Sequence, residues 1–417
     1  MLSPGQGHVS TAGRMLDLLR TQGTLSRVEL AERSGLTAGT ITHAVRRLIE
    51  DGLVREVGRD QQQGRGQPRR LLELDAEAWY AVGIQVDRTT TTIVVLDFAG
   101  NRIAGASLRG SGGTGPERTI AALADHVADL LRSAAVGRDR VLGVGLVTHG
   151  PQDRERGVLL TAQPDPAWLE FPLTGRLSER LGTPVLLEND ATAAAFGEQW
   201  AGAVPTATFG LVYMASGIGG GVIVDGEIYR GRASNTVEIG HVVLNGGSTE
   251  CVCGNRGCAQ AEAGPRAVVE QVLAEADLAE RIGVRGAPEG TLTDFERIAR
   301  AWRSGDREAG RLLERSATSI GRAAVTLVNL FDLDTVVLAG PAFLTAGTLY
   351  RRHVAAELEQ SALSRALSRP EVLISTNVDT AAAIGGALHV LRTMPSGTQE
   401  TGTGISPVPK EPHKGAS

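Results

Sequence analysis

Val237-Glu-Ile-Gly-His-Val-Val-Leu-Asn-Gly-Gly-Ser-Thr-Glu-Cys-Val-Cys-Gly-Asn-Arg-Gly-Cys258 holds all three cysteines of this 417-residue chain, Cys251, Cys253 and Cys258. An odd number packed so tightly is not a disulfide framework and reads as metal binding. With His241 the segment offers one imidazole and three thiolates. Four such ligands complete a tetrahedral Zn²⁺ shell and leave no position for water, so one structural zinc per chain is expected. Gly254 and Gly257 allow the tight turning that brings Cys253 and Cys258 together. A reduced, metal-free cluster is the alternative.

Around this loop the pattern is α/β. Ala81–Val86 and Thr92–Asp97 read as strands in hairpin relation, followed by a helix at Glu117–Ser133 and a buried strand at Val141–Thr148. Strands at Pro184–Leu187, Gly210–Met214, Gly221–Val224 and Thr335–Ala339 alternate with helices at Asp190–Ala201, Arg307–Phe331 and Thr380–Arg392, which implies partly parallel sheets. The length calls for two or three domains. No stretch approaches the roughly 20 apolar residues of a membrane helix, and the start of the chain lacks a charged-then-apolar leader, so a soluble cytoplasmic protein is expected.

Residues 1–58 have a different character. Arg14–Thr21 has helical apolar spacing, Ser26-Arg-Val-Glu29 is a capping box opening a second helix, and Ser34-Gly35-Leu36 makes a turn. Thr37 then caps a third helix with Ile41, Val45, Leu48 and Ile49 on its buried face. Gly52–Gly58 alternates like a strand and forms a wing. Helix, turn, helix and wing in this order present one helix to a major groove. Thr37, Gly39, Thr40, Thr42, His43, Arg46 and Arg47 lie on its outer side and suit phosphate and base-edge contacts. Eleven Arg against seven Asp or Glu give residues 1–72 a net charge of +4 and leave −9 for the rest. A basic head favours an anionic partner such as an operator duplex. A protein-docking helical domain is the competing reading. Residues 59–77 read as a linker, in which Arg65 and Arg69 are candidates for a minor groove, although a plain tether reads nearly as well. The tail 394–417 is Gly-, Ser-, Thr- and Pro-rich and is expected to be disordered.

Val237-Glu-Ile-Gly-His241 with the Cys-x-Cys-Gly-x-x-Gly-Cys loop, Glu188-Asn-Asp190 and Ser216-Gly-Ile-Gly-Gly-Gly221 resemble the ROK family of sugar kinases and repressors over roughly Ala81–Leu391. The winged helix matches the repressor branch. The resemblance implies a two-lobed actin-like, hexokinase-type module: a small lobe at 78–190, joined by the C-terminal helix 380–393, and a large lobe at 191–379 with the zinc loop. It also implies a sugar or sugar derivative in the cleft, and dimers or tetramers. Asp190 matches the catalytic base of the kinases. Asn189, Asp190, Glu238 and His241 match effector contacts, and Gln260 stands where the family has Glu. Capping of the helix to Ala201 is the competing role for Asn189 and Asp190.

One departure separates the chain from the kinases. Where they carry Asp-x-Gly-Gly-Thr, this sequence has Gln85-Val-Asp87-Arg88-Thr89. Both glycines are gone, and Asp87 would repel a triphosphate. Phosphoryl transfer depends on positioning and charge neutralisation, so the enzyme activity is expected to be lost. The expected function is a sugar-controlled DNA-binding regulator of carbohydrate metabolism, by family default a repressor. An ATP-dependent sugar kinase and an orphan regulator without a sugar ligand are the alternatives.

Overall fold

The computed structural model describes residues 10–59, 69–201, 204–244, 248–367 and 369–393. Its first unit is a small helical core closed by a three-stranded sheet. Helix α1 (Thr11–Gln22), strand β1 (Leu25–Ser26), helices α2 (Arg27–Ser34) and α3 (Ala38–Glu50), and strands β2 (Val54–Arg59) and β3 (Arg70–Leu74) follow in order. The capping box forms as expected: Ser26 Oγ accepts from the Glu29 amide, and Glu29 accepts from the Ser26 amide. α3 buries Ile41, Val45 and Leu48 and leaves its other side to solvent. The linker reading of 59–77 is only partly right. Arg70–Leu74 is the central strand of the wing sheet, pairing antiparallel with both β1 and β2. Arg65 and residues 394–417 lie outside the described residues.

A five-stranded sheet follows, formed by β4 (Tyr80–Val86), β5 (Thr90–Asp97), β6 (Arg102–Arg109), β7 (Val141–Thr148) and β10 (Val185–Asn189). A two-stranded ribbon, β8 (Gln152–Asp153) and β9 (Val158–Leu159), lies between β7 and β10 in sequence. The spatial order is β10-β7-β4-β5-β6, with parallel pairing on the β7 side and antiparallel on the β5 side. A second sheet repeats the plan. Strands β11 (Phe209–Met214), β12 (Ile218–Val224), β13 (Glu227–Ile228), β14 (Thr335–Ala339) and β15 (Glu371–Ile374) are ordered β13-β12-β11-β14-β15. In both sheets the first strand sits in the middle, two antiparallel strands lie to one side and two parallel strands to the other. This is the two-lobed α/β architecture expected from the sequence.

Helices α4 (Pro116–Ser133) and α5 (Leu173–Leu181) cover the first sheet. Helices α7 (Ala259–Ala263), α8 (Pro265–Leu273), α9 (Ala276–Ile282), α10 (Thr291–Arg303), α11 (Arg307–Phe331) and α12 (Phe343–Ser361) build the large-lobe core. Between the sheets lie α6 (Asp190–Trp200) and α13 (Ala381–Thr393). Their packing is at backbone distance: a Cβ on Gly83 of β4 would sit 1.8 Å from the Ala383 carbonyl oxygen, and one on Gly385 1.7 Å from that of Ala193. No side chain fits at those crossings, so α13, α6 and β4 behave as one block.

Candidate functional site: a polar cleft, a thiolate cluster and an exposed helix

Strands β7 and β10 run parallel with Thr148 opposite Asn189, so their carboxyl ends open side by side. Crevices outside such ends are where α/β sheets bind ligands. Asn189 ends β10 and caps α6, its Oδ1 accepting from the Thr192 amide at 3.0 Å. Its Nδ2 is free to turn toward the cleft. The capping role expected of this residue is present. The turn after β7 brings Gly150 opposite: a methyl there would lie 3.1 Å from Glu238 Oε1, 3.4 Å from Asn189 Nδ2 and 3.7 Å from Asn235 Oδ1. Three polar groups, one from the end of β10 and two from the loop at 235–238, converge over a residue without a side chain.

Asp190 is half-buried and its carboxylate accepts from the Ala191 amide at 2.8 Å. Burial pushes its carboxyl up to about 7, with Asp87 and Glu238 adding repulsion. Glu238 is open to solvent on one side, and burial of its other side raises its carboxyl too. The loop that presents it is strained: Val237, a β-branched residue, has φ 59°. Gln260 is placed at the cleft, but its Oε1 accepts from the Ile218 amide at 2.9 Å, so part of its capacity is spent on backbone.

Several residues here escaped the sequence reading. Asn235 bridges the lobes, accepting from the Gln152 amide at 2.8 Å and donating to the Gln152 carbonyl at 2.9 Å. Among the described residues, His149 Nε2, both side-chain amide atoms of Gln152, and Thr236 Oγ1 are buried without partners. Burial lowers the His149 imidazole, against the pull of Asp87. Buried polar atoms are nearly always paired, so this group is a candidate place for a hydrogen-bonding ligand or water. The one sequence signal was Gly150-Pro151 directly after a buried strand.

His241, Cys251, Cys253 and Cys258 place their ligand atoms within 4.8 Å of one another. Cys253 and Cys258 sulfurs are 3.6 Å apart, as are Cys251 Sγ and His241 Nδ1. A tetrahedron with metal–sulfur bonds of about 2.3 Å has edges of roughly 3.8 Å, so these separations fit a metal. Gly254 (φ 89°) and Gly257 (φ 73°) make the turns. The cluster can hold a metal ion, and His241 within it lies three residues after Glu238.

On the other side of the cleft the Gln85–Thr89 segment bonds within itself and across to the opposite lobe. Asp87 Oδ1 accepts from the Thr89 amide and hydroxyl at 2.9 and 2.7 Å, and its Oδ2 takes the Ser216 hydroxyl of the opposite lobe. Gln85 Nε2 donates to Tyr213 at 2.5 Å across the same gap. Beside it a cleft of about 900 Å³ is lined by Gln85, Asp87, Thr92, Arg297, Arg300 and Asp379. The glycine run Gly219–Gly221 has a packing role. It lies within β12, where Cβ atoms would collide with Ala191, Val237 and Ala195.

On the first unit, Thr37, Gly39, Thr40, Thr42, His43, Arg46 and Arg47 are all exposed along α3, and Arg69 is exposed at the start of β3. Thr37 Oγ1 accepts from the Thr40 amide and lies 2.9 Å from its hydroxyl.

Residues 81–393 match the ROK family, and residues 10–55 match a winged helix-turn-helix DNA-binding family. A xylose repressor of Caldicellulosiruptor bescii is 26% identical over 375 residues, covering 89% of this chain and 92% of that protein. The DNA-binding transcriptional dual regulator NagC of Escherichia coli is 28% identical over 330 residues, 78% of each chain. The crystal structure of a ROK family transcriptional regulator, a homologue of the E. coli MLC protein, superposes with a TM-score of 0.72. At 22% identity it covers 91% of this chain and 96% of that one, and it establishes the fold alone. Among the described residues no helix is long and apolar enough to cross a membrane.

Proposed function

The chain belongs to the ROK family, and from that premise we propose that it is a cytoplasmic, sugar-responsive transcriptional repressor without kinase activity. One observation carries this reading. The exposed polar face of α3 is joined to a cleft that gathers Asn189, Asp190, Glu238 and unpartnered buried donors and acceptors, while Gln85 and Asp87, which stand where the kinases carry their phosphate loop, bond to Tyr213 and Ser216 of the opposite lobe.

Thr37, Gly39, Thr40, Thr42, His43, Arg46 and Arg47 read the operator, with Arg65 and Arg69 beside the duplex. Asn189, Asp190, Glu238 and His241 take hydroxyls of a sugar or sugar derivative, and Gln260 adds the capacity its backbone bond leaves. Relatives named as xylose and N-acetylglucosamine regulators support that ligand class. Asp190 offers a carboxyl that holds a hydroxyl with no phosphate to transfer. His241, Cys251, Cys253 and Cys258 hold one structural Zn²⁺, which would fix the Glu238 loop from behind. A homodimer or homotetramer would let two α3 helices meet two half-sites.

The test begins with an operator selected from genomic fragments by the full chain, whose affinity is then measured with D-xylose, N-acetylglucosamine and D-glucose. At least one sugar is expected to change the affinity, roughly five- to 150-fold, the usual range of such coupling. Arg46→Ala weakens binding and lowers the salt slope by about 1. No ADP forms with any of these sugars and MgATP. Operator binding indifferent to every sugar would make the chain a regulator without a sugar effector, and ADP formation would make it a kinase.

A further inference from the structure

Glu188 directly precedes the effector residues Asn189 and Asp190, yet its own side chain turns away from the cleft. It is buried between Arg230 (2.8 Å), Arg154 (3.2 Å) and His389 of α13 (3.3 Å). His389 sets its ring edge-on against Phe196 of α6, the centroids 6.1 Å apart. One turn further along α13, Arg392 lies over the same ring at 5.5 Å. Its Nε is 3.5 Å from Asp17 Oδ2 on α1, and its Nη2 pairs with Glu227. Asp17 also faces Arg20 at 3.6 Å.

Arg20 is the centre of the contact between the two units. Its side chain is 2% exposed. The stem packs on Gly100, Nε donates to the Phe98 carbonyl at 3.0 Å, and the guanidinium lies between the rings of Phe98 (5.0 Å) and Trp200 (4.8 Å). Trp200 is the last residue of α6, and Asp190 is the first. A helix of 11 residues spans about 16 Å, so one rigid rod has the effector carboxyl at one end and the reader's arginine at the other.

We propose that Arg20 and Arg392 form a coupling joint between the cleft and the DNA reader, with Glu188, His389 and helix α6 as positioning elements that move it. This rests on the regulator reading above. Two features make the joint able to switch. Because α6 and α13 touch at backbone distance, a shift of Asn189–Asp190 on ligand binding cannot be absorbed between them and is passed on to Trp200 and Arg392. In addition, Arg20 Nη2 is buried without a hydrogen-bond partner, and Nη1 has only the longer 3.6 Å approach to Asp17. The docked state therefore carries a desolvation cost that water relieves when the reader loosens, which narrows the gap between two positions of α1.

The test uses amide hydrogen exchange on the full chain with neither DNA nor sugar. Glu188→Gln removes the charge between the Arg154 and Arg230 guanidiniums and the His389 ring, and exchange in residues 11–22 is expected to rise roughly five-fold, the low end of an allosteric coupling. In an Arg392→Gln background the same substitution should still disturb residues 185–190 but no longer change 11–22. Exchange at 11–22 unchanged by Glu188→Gln, or changed equally in both backgrounds, overturns the proposal. Should Glu188→Gln fail to fold, His389→Gln runs the same cycle. Since the readout needs no operator and no effector, a negative result here leaves the regulator reading standing.

Discussion

At the scale of single residues, Asp190 and Glu188 lie two positions apart and titrate in opposite directions. Burial would raise Glu188, but His389, Arg230 and Arg154 outweigh it and hold its carboxyl at about 2. Its contribution to stability is present above the ordinary glutamate value of 4.5 and disappears as pH falls toward 2. Asp190, raised from 3.8 to about 7, behaves the other way. The folded chain takes up a proton that the unfolded chain lacks, so the contribution is whole below 3.8 and is lost as pH rises through 7. The two windows barely overlap, which makes Asp190 separable. Comparing urea midpoints of wild type and Asp190→Asn, the wild type is expected to lose stability relative to the variant between pH 4 and 7 and to track it above pH 8. A constant difference over that range would show that Asp190 stays ionised when folded. Sequence pointed to Asp190 through its motif and to Asn189 through both of its roles. It gave no hint of Asn235, Gln152 or His149, because Asn and Gln in loops are ordinary turn and surface residues until the chain brings them under one roof.

At the scale of elements, α3 was readable because its apolar period, its Thr37 cap and the preceding Gly35 turn all agree on one helix. Strand β3 was not, since the Gln-, Gly- and Arg-rich run before it looks like tether and its partner β2 lies across that run. Helix α12 was missed for a different reason. Its buried Phe343, Ala346, Tyr350, Val354 and Leu358 do recur at helical spacing, but Gly347 within that face and the exposed Leu344 outside it blur the apolar stripe that sequence periodicity detects. The metal loop was the most legible element, as one His and three Cys in tight spacing have few other uses. It is also the element whose role is most directly testable. Metal analysis of reduced, chelator-free protein is expected to find about one zinc per chain. Cys253→Ser is expected to reduce zinc affinity and to speed amide exchange at residues 237–243, where Glu238 and His241 are anchored. Less than roughly half an equivalent of zinc in such a preparation would contradict a structural tetrahedral site.

For the whole molecule, the repeated sheet plan left no trace in the sequence, because the two lobes share strand order and not residues. The union of the reader with the small lobe was equally hidden, as both sides of the contact look like ordinary core. Met15, Leu16 and Leu19 of α1, Leu72 and Leu74 of β3, Phe98, and Leu388 and Leu391 of α13 belong to one continuous apolar cluster. The large lobe has its own, built on α8, α10, α11 and α12. Cooperative unfolding follows shared cores rather than functional boundaries. The winged helix is therefore expected to unfold with the first sheet as one unit, and not as a loosely tethered domain. In a urea series followed by hydrogen exchange, α3 and β4 should lose protection at the same denaturant concentration, with α11 free to differ. The tryptophans Trp79 and Trp200, both at the seam between reader and lobe, supply an independent optical probe of the same step. If α3 opens at clearly lower urea than β4, the apolar seam does not bind the two units into one, and the coupling between cleft and reader must run through the polar joint at Arg20 and Arg392 alone.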